Sequence, residues 1–350
     1  MYRDYYGLAK KPFELAPVGG LVYLSESHLE AISMLRYGVV SDKGFVLLTG
    51  GVGTGKTTVL NTLLGVLKKR VRYCVLNNPK LTRHDFFFYL GRKVGIPYRG
   101  NKGHFILRFT KMLDQLEARG EKFLLIVDEA QVFPIDLLEE VRLLSNHAES
   151  KNVMGIFLLG QPELRDILAH PRLLPLRQRI GTHYHLEPFS YEDTRQYIGY
   201  RLRMAEAKRR DLFHEEALEL IFDASRGNPR LINIICDQAL MTGFSEGKPV
   251  IDADTVYQVL EEVQLEGEDL YELSPAGSAF SLGRSRLAGP RVEPPEVTES
   301  GEKSGLRGSK TNAGMKAPIS TAKVLLIGGV LLAGVVVSVV FLIMRALEST

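Results

Sequence analysis

A short apolar run, Phe45 to Leu48, leads straight into Gly-Gly-Val-Gly-Thr-Gly-Lys-Thr at Gly50 to Thr57, and Leu60, Leu63, Leu64 and Leu67 then recur at helical spacing. Strand, glycine-rich turn and helix in immediate succession are the opening unit of a parallel α/β sheet. Gly50, Gly53 and Gly55 let the backbone curl so that successive N–H groups face one anion. Lys56 adds a point charge, Thr57 offers a hydroxyl to Mg²⁺, and the helix that starts here turns its positive dipole end towards the same place. All three devices address phosphate, so this is a phosphate-binding P-loop. Its expected nucleotide contacts are Gly50, Gly51, Val52, Gly53, Thr54, Gly55, Lys56, Thr57 and Thr58.

A second apolar run, Phe123 to Val127, reads as a buried parallel strand and ends in Asp128 and Glu129. An aspartate there can reach the Mg²⁺ shell of Thr57, and the glutamate after it can orient and deprotonate an attacking water. Thr57 and Asp128 are therefore assigned to metal and Glu129 to water. Gln161 follows the strand that ends in Leu159 and Gly160 and stands level with Glu129, within reach of the water or the γ-phosphate. In Arg226 to Arg230, Asn228 is expected to cap a helix with Pro229 as its first residue, which aims Arg230 at a γ-phosphate. Arg177 and Arg179, just before the last strand, are candidates for acting in trans on a neighbour's nucleotide.

Strand candidates at Phe45–Leu48, Tyr73–Leu76, Phe123–Val127, Met154–Leu159 and His183–Leu186 alternate with helical patterns at Arg83–Leu90, Phe105–Ala118 and Ile135–Asn146. That pattern predicts an α/β fold with a parallel sheet covered by helices on both faces. From Tyr191 the pattern is helical throughout, at Thr194–Met204, Glu215–Ala224, Pro229–Thr242 and Asp252–Val263, which predicts a small all-α lid. The expected division is an ATPase core at 1–188, a lid at 189–268, a flexible linker at 269–322, a transmembrane helix at 323–345 and a short tail at 346–350.

The span rests on the uncharged run Val324 to Met344. At about 1.5 Å per residue it is long enough for a hydrocarbon core of roughly 30 Å. Basic residues from Arg284 to Lys323 precede it and only Arg345 follows, so the large N-terminal part is expected in the cytoplasm. The linker is rich in Ser, Gly, Pro and charge, a composition that cannot bury enough surface to offset its ordering entropy. A net charge of +3 is too small to imply nucleic acid by itself. Cys74 and Cys236 both sit in apolar patterns and are expected to be buried free thiols. His183 and His185 have no further ligand at metal spacing. Tyr5, Tyr6, Phe13, Leu15, Tyr23 and Leu24 precede the first core strand and read either as an adenine wall or as a hydrophobic clasp.

Several ordered stretches carry a resemblance: YYGLAKKPFELAP, LVYLSESHLEAISMLRYGV, GGVGTGKTT, VDEAQ, LLGQPELRDIL, LPLRQRI and SRGNPRLINIICDQAL. Together, over about residues 2 to 265, they resemble the AAA+ ATPases of the ExeA/GspA group. The resemblance implies a P-loop AAA+ fold binding ATP and Mg²⁺, a homo-oligomer in the form of a ring, and an inner-membrane partner in an envelope apparatus. By position it matches Lys56 and Thr57 to Walker A, Asp128 and Glu129 to Walker B and Gln161 to sensor 1. Arg177 and Arg179 fall in the arginine-finger region, and Arg230 matches the sensor-2 arginine. The secretion proteins it resembles carry a peptidoglycan-binding domain after their span, where this sequence has Arg345 to Thr350, so a cell-wall role is not the expectation here.

The expected function is a single-pass bacterial inner-membrane ATPase that drives assembly or operation of a secretion or export complex, of type II secretion or exopolysaccharide kind. The alternative is a nucleic-acid-binding ATPase related to transposition helpers, for which Lys68, Lys69, Arg70, Lys208, Arg209 and Arg210 are candidate phosphate contacts.

Overall fold

The structure is a computed structural model that describes residues 1–14, 22–40, 44–67, 70–77, 81–147 and 153–266. The whole segment from 267 onward, with the expected linker at 269–322, the span at 323–345 and the tail at 346–350, lies outside the described residues, as do Lys68 and Lys69. Among the described residues no helix is long and apolar enough to cross a membrane.

Five strands form one sheet: β1 Phe45–Gly50, β2 Val71–Leu76, β3 Lys122–Val127, β4 Met154–Gly160 and β5 Ile180–Leu186. Their order is β2-β3-β4-β1-β5, and every neighbouring pair is parallel. The central strands are buried on both faces, which is why each reads as a continuous apolar run. Alternate residues feed two separate cores. Phe45, Leu47, Phe123, Leu125, Ile156 and Leu158 point to one face, and Val46, Leu48, Leu124, Ile126, Phe157 and Leu159 to the other.

The helices are α1 Tyr2–Tyr5, α2 Glu26–Val40, α3 Lys56–Val66, α4 Arg83–Val94, α5 Lys102–Ala118, α6 Ile135–Asn146, α7 Leu164–Leu168, α8 Leu174–Arg177, α9 Tyr191–Met204, α10 Glu215–Ser225, α11 Pro229–Ser245 and α12 Ala253–Glu266. Helices α4 to α8 cover the first face of the sheet, and α2 with α3 covers the second. Buried Glu140 on α6 pairs with Arg83 of α4 at 3.0 Å and Lys102 of α5 at 2.6 Å, tying three helices of the first layer together. Cys74 and Cys236 are free and buried, Cys74 in the sheet core and Cys236 in the helical one.

Helices α9 to α12 form their own core. The chain enters it where Ser190 caps α9 and Asp193 returns the bond to the Ser190 N–H, a capping box. Tyr2, Tyr6, Leu8 and Phe13 are buried in that same core, and the Tyr6 hydroxyl donates to the Lys248 carbonyl at 3.0 Å. Residues 1–14, which the sequence reading joins to the sheet, thus share a core with the C-terminal helices.

Candidate nucleotide site

The P-loop lies at the carboxyl end of β1 and runs into α3. Gly53 and Gly55 have φ of 76° and 98°, a region costly for any residue with a Cβ. Both also lack room for one. A Cβ on Gly53 would lie 2.5 Å from Asn228 Oδ1 and 2.9 Å from the Arg230 Cβ, and one on Gly55 would lie 2.5 Å from His28 Nε2. Side chains from α2 and from the start of α11 therefore press on the loop from two sides.

Lys56 is buried, and its Nζ donates to the Gly50 carbonyl at 2.9 Å and the Gly51 carbonyl at 2.8 Å. Burial pushes its pKa down, while Glu129, Asp128 and Glu163 push it back up. Asp128 sits just past β3, its N–H bonded to the Leu76 carbonyl at 2.8 Å. Burial raises its carboxyl above the ordinary value, against the hydrogen bond it accepts from the Glu129 N–H at 3.0 Å. The Thr57 hydroxyl stands 3.5 Å from Asp128 Oδ2. This pair of hard oxygens fits Mg²⁺, which takes one or two protein oxygens and completes its shell with water and phosphate. Among the described residues no group of three or more His, Cys, Asp or Glu side chains converges to hold a metal without such help.

Glu129 has φ 52°, a left-handed backbone unusual for a residue with a side chain. Gln161 follows Gly160, which pairs with Thr49, so it stands level with Gly50. Its backbone N–H donates to Gln131 Oε1 at 3.1 Å, and Gln131 Nε2 donates to Glu129 Oε2 at 2.7 Å. His183 and His185 bond the Thr49 hydroxyl at 3.1 and 2.9 Å, a polar cluster beneath the loop that Arg165 joins.

Asn228 caps α11 by accepting the Arg230 N–H at 2.9 Å, as its place before Pro229 predicts. It also donates through Nδ2 to the Val52 carbonyl at 2.7 Å, joining the helical body to the tip of the P-loop. Arg230, Gly53, Gly55 and Thr58 line one cavity of about 320 Å³, within the range of small-molecule sites. Its far wall is aromatic: Tyr23, Phe189, Tyr197 and Tyr200. The Tyr23 ring stands 5.5 Å from Phe189 and 5.7 Å from Tyr197, edge to face, a surface suited to a flat base. The N-terminal aromatics thus divide. Tyr23 lines the cavity, Tyr6 and Phe13 fill the helical core, Tyr5 is exposed, and Leu15 lies outside the described residues.

Arg177 and Arg179 are not brought to this site. β5 begins at Ile180 beside Phe45, whereas the P-loop follows Gly50 beside Leu186. At ~3.3 Å per residue the two arginines are roughly 20 Å from their own P-loop. Arg179 donates to Ser145 Oγ on α6 at 2.7 Å, and Arg177 is exposed.

Sequence reasoning missed two residues at the site, His28 and Gln131, and the second bond of Asn228. Ser25 and His28 have capping-box spacing before α2, with Ser25 Oγ 2.7 Å from His28 Nδ1, and that spacing was a usable signal. The other two depend on approaches between distant segments.

The family model described as an AAA domain matches residues 39–168. General secretion pathway protein A of Aeromonas hydrophila is 40% identical over 251 residues, covering 71% of this chain and 46% of that protein. An uncharacterized HTH-type transcriptional regulator of Methanocaldococcus jannaschii is 23% identical over 205 residues, 57% of this chain and 49% of that protein. The chain thus spans about half the length of the curated relatives it matches. Among solved structures, Cdc6p from Pyrobaculum aerophilum superposes with a TM-score of 0.57 at 17% identity, over 72% of this chain and 70% of that one. Drosophila ORC bound to DNA superposes with a TM-score of 0.56 at 19% identity, over 73% and 65%. At such identities these two show a shared fold. The P-loop and both carboxylates fall inside the matched AAA domain, and the chain is similar to general secretion pathway protein A.

Proposed function

We propose that the chain is a membrane-anchored AAA+ ATPase whose ATP binding and hydrolysis drive the assembly or operation of an envelope secretion or export complex. The observation that carries the catalytic part is the meeting of Lys56, Thr57, Asp128 and Glu129 beside a cavity that Arg230 enters from the helical body. Water attacks the γ-phosphorus in line, the bond from that phosphorus to the β–γ bridging oxygen breaks, and ADP and inorganic phosphate result. Glu129 orients the water and takes its proton. Lys56 and the backbone N–H groups of the loop bind the triphosphate oxygens, and Arg230 contributes charge from the lid. Mg²⁺, when held at Thr57 and Asp128, supplies charge neutralisation at the phosphates. Arg177 and Arg179, far from their own P-loop, serve a neighbouring copy's nucleotide in a ring.

The secretion role draws on the similarity to general secretion pathway protein A, and the anchor on the uncharged run Val324–Met344. In this reading the ATPase domain is cytoplasmic and the span holds it at the bacterial inner membrane beside a partner protein. Fractionation tests it: the full chain should sediment with membranes and co-purify a membrane protein, and removal of 323–345 should release it. A full chain found wholly in the soluble fraction overturns the anchor.

Exposed Lys208, Arg209 and Arg210 in the segment between α9 and α10 favour one second reading, a nucleic-acid-stimulated ATPase. It requires DNA binding that falls steeply with salt and raises ATP turnover.

A further inference from the structure

We infer that Gln131 is a positioning residue that fixes the hydrolytic carboxylate of Glu129 and couples it to the end of β4. This inference rests on the reading of Glu129 as the base. Gln131 spans two segments with one amide. Its Nε2 donates to Glu129 Oε2 at 2.7 Å and its Oε1 accepts the Gln161 N–H at 3.1 Å. The amide therefore has one possible orientation, because only nitrogen can donate to a carboxylate and only oxygen can accept an N–H. Gly160 makes room for it: a Cβ there would lie 2.7 Å from Gln131 Oε1.

Glu129 is the residue most in need of such a hold. It lies after the end of β3, with φ 52°, at the head of a single 3₁₀ turn, Ala130–Val132, outside the regular ladder that fixes its neighbours. Its carboxylate nevertheless heads the neighbouring charges that offset the burial of Lys56, which puts it on the phosphate side of the site. A charge-assisted hydrogen bond from a side chain itself bonded to β4 supplies what the local backbone lacks. Since Gln161 opens the segment after β4, a movement of that segment passes through the amide to the base. The position of the base and that of the candidate γ-phosphate contact are one mechanical unit.

The test uses the full chain and three variants. Glu129→Gln should bind ATP and fail to turn it over, which establishes the base independently of Gln131. Gln131→Ala removes both bonds, and because misplacing a catalytic group by about 1 Å costs roughly a hundredfold, kcat should fall by about ten- to a hundredfold. Its ATP dissociation constant and melting temperature should stay close to the parent's. Gln131→Glu keeps an acceptor for the Gln161 N–H but sets an acceptor-only carboxylate against Glu129, so the bond to the base is lost. Its kcat should fall while ATP affinity is kept, whereas a role confined to bracing the end of β4 would leave kcat near the parent's. If Glu129→Gln is inactive while Gln131→Ala keeps kcat within twofold of the parent, the inference fails though the base assignment stands. It also fails if the Gln131→Ala loss lies in ATP affinity or folding rather than in kcat, or if Gln131→Glu keeps the parent's kcat. If Glu129→Gln hydrolyses ATP normally, the base assignment fails and takes the inference with it.

Discussion

The bond from Asn228 to Val52 joins two bodies with separate cores, and its removal should be felt in ligand affinity more than in folding. Asn228 does two jobs with two ends of one amide: Oδ1 caps α11 and Nδ2 reaches the tip of the P-loop at 2.7 Å. Asn228→Ser separates them. Serine caps a helix about as well as asparagine, but its side chain is too short to bridge to Val52 and it brings no charge near the phosphates. The lost bond is nearly buried, with Asn228 8% exposed, so about 1 to 1.5 kcal/mol of the contact holding lid to loop disappears. If that contact preorganises the cavity, the competent arrangement is populated less, and affinity for a non-hydrolysable ATP analogue should weaken by about five- to tenfold. Asn228→Ala should show the same loss of affinity and in addition lose the cap, about 1 kcal/mol of helix stability. With the described residues melting as one unit, that lowers the melting temperature by about 2–4 °C below Asn228→Ser. Isothermal titration with the analogue and thermal melts of both variants decide the matter. An Asn228→Ser protein that binds nucleotide as tightly as the parent refutes the coupling.

Other positions give sharper signs. Burial raises the Asp128 carboxyl above its ordinary value of 3.8, so its charged form costs the folded state stability above that pH. Asp128→Asn should therefore melt higher than the parent at pH 7 without nucleotide and metal, with the gap narrowing as pH falls towards 4, while Mg²⁺-dependent turnover is lost; a lower melting temperature at pH 7 contradicts this. Gly55→Ala places a methyl against His28 at φ 98° and should destabilise by more than about 1 kcal/mol while weakening nucleotide binding, read by melting and titration. Glu140→Ala leaves Arg83 and Lys102 without their shared carboxylate and should lower the melting temperature with ATP affinity unchanged.

What could be read from the sequence was what periodicity and short-range spacing encode. Strands β1, β3 and β4 stood out because they are buried on both faces, so burial wrote an unbroken apolar run into each. The start of β2 did not: it begins at Val71 and Arg72, where half-exposed and exposed positions dilute the signal. Helices α9 to α12 were legible from their apolar stripes. Helix α2 was not separated as an element, although it carries Ala31, Leu35 and Val39 into the second sheet core. At the site, Lys56, Thr57, Asp128 and Glu129 follow from spacing along single elements. The bond from Gln161 to Gln131 and the Val52 bond of Asn228 depend on which distant segments meet, and no local pattern encodes that. The packing of Tyr2 and Phe13 into the helical core belongs to the same class, since a chain can return to any body with a complementary surface.

The central claim is tested most directly by measuring ATP binding and steady-state hydrolysis side by side for the full chain and for Lys56→Ala and Glu129→Gln. The expected result is that Lys56→Ala loses ATP binding, whereas Glu129→Gln retains Mg²⁺-dependent binding near the parent's affinity and hydrolyses at least about a hundredfold more slowly. A Glu129→Gln protein that turns ATP over at the parent's rate, or a parent that takes up no ATP at all, would contradict it.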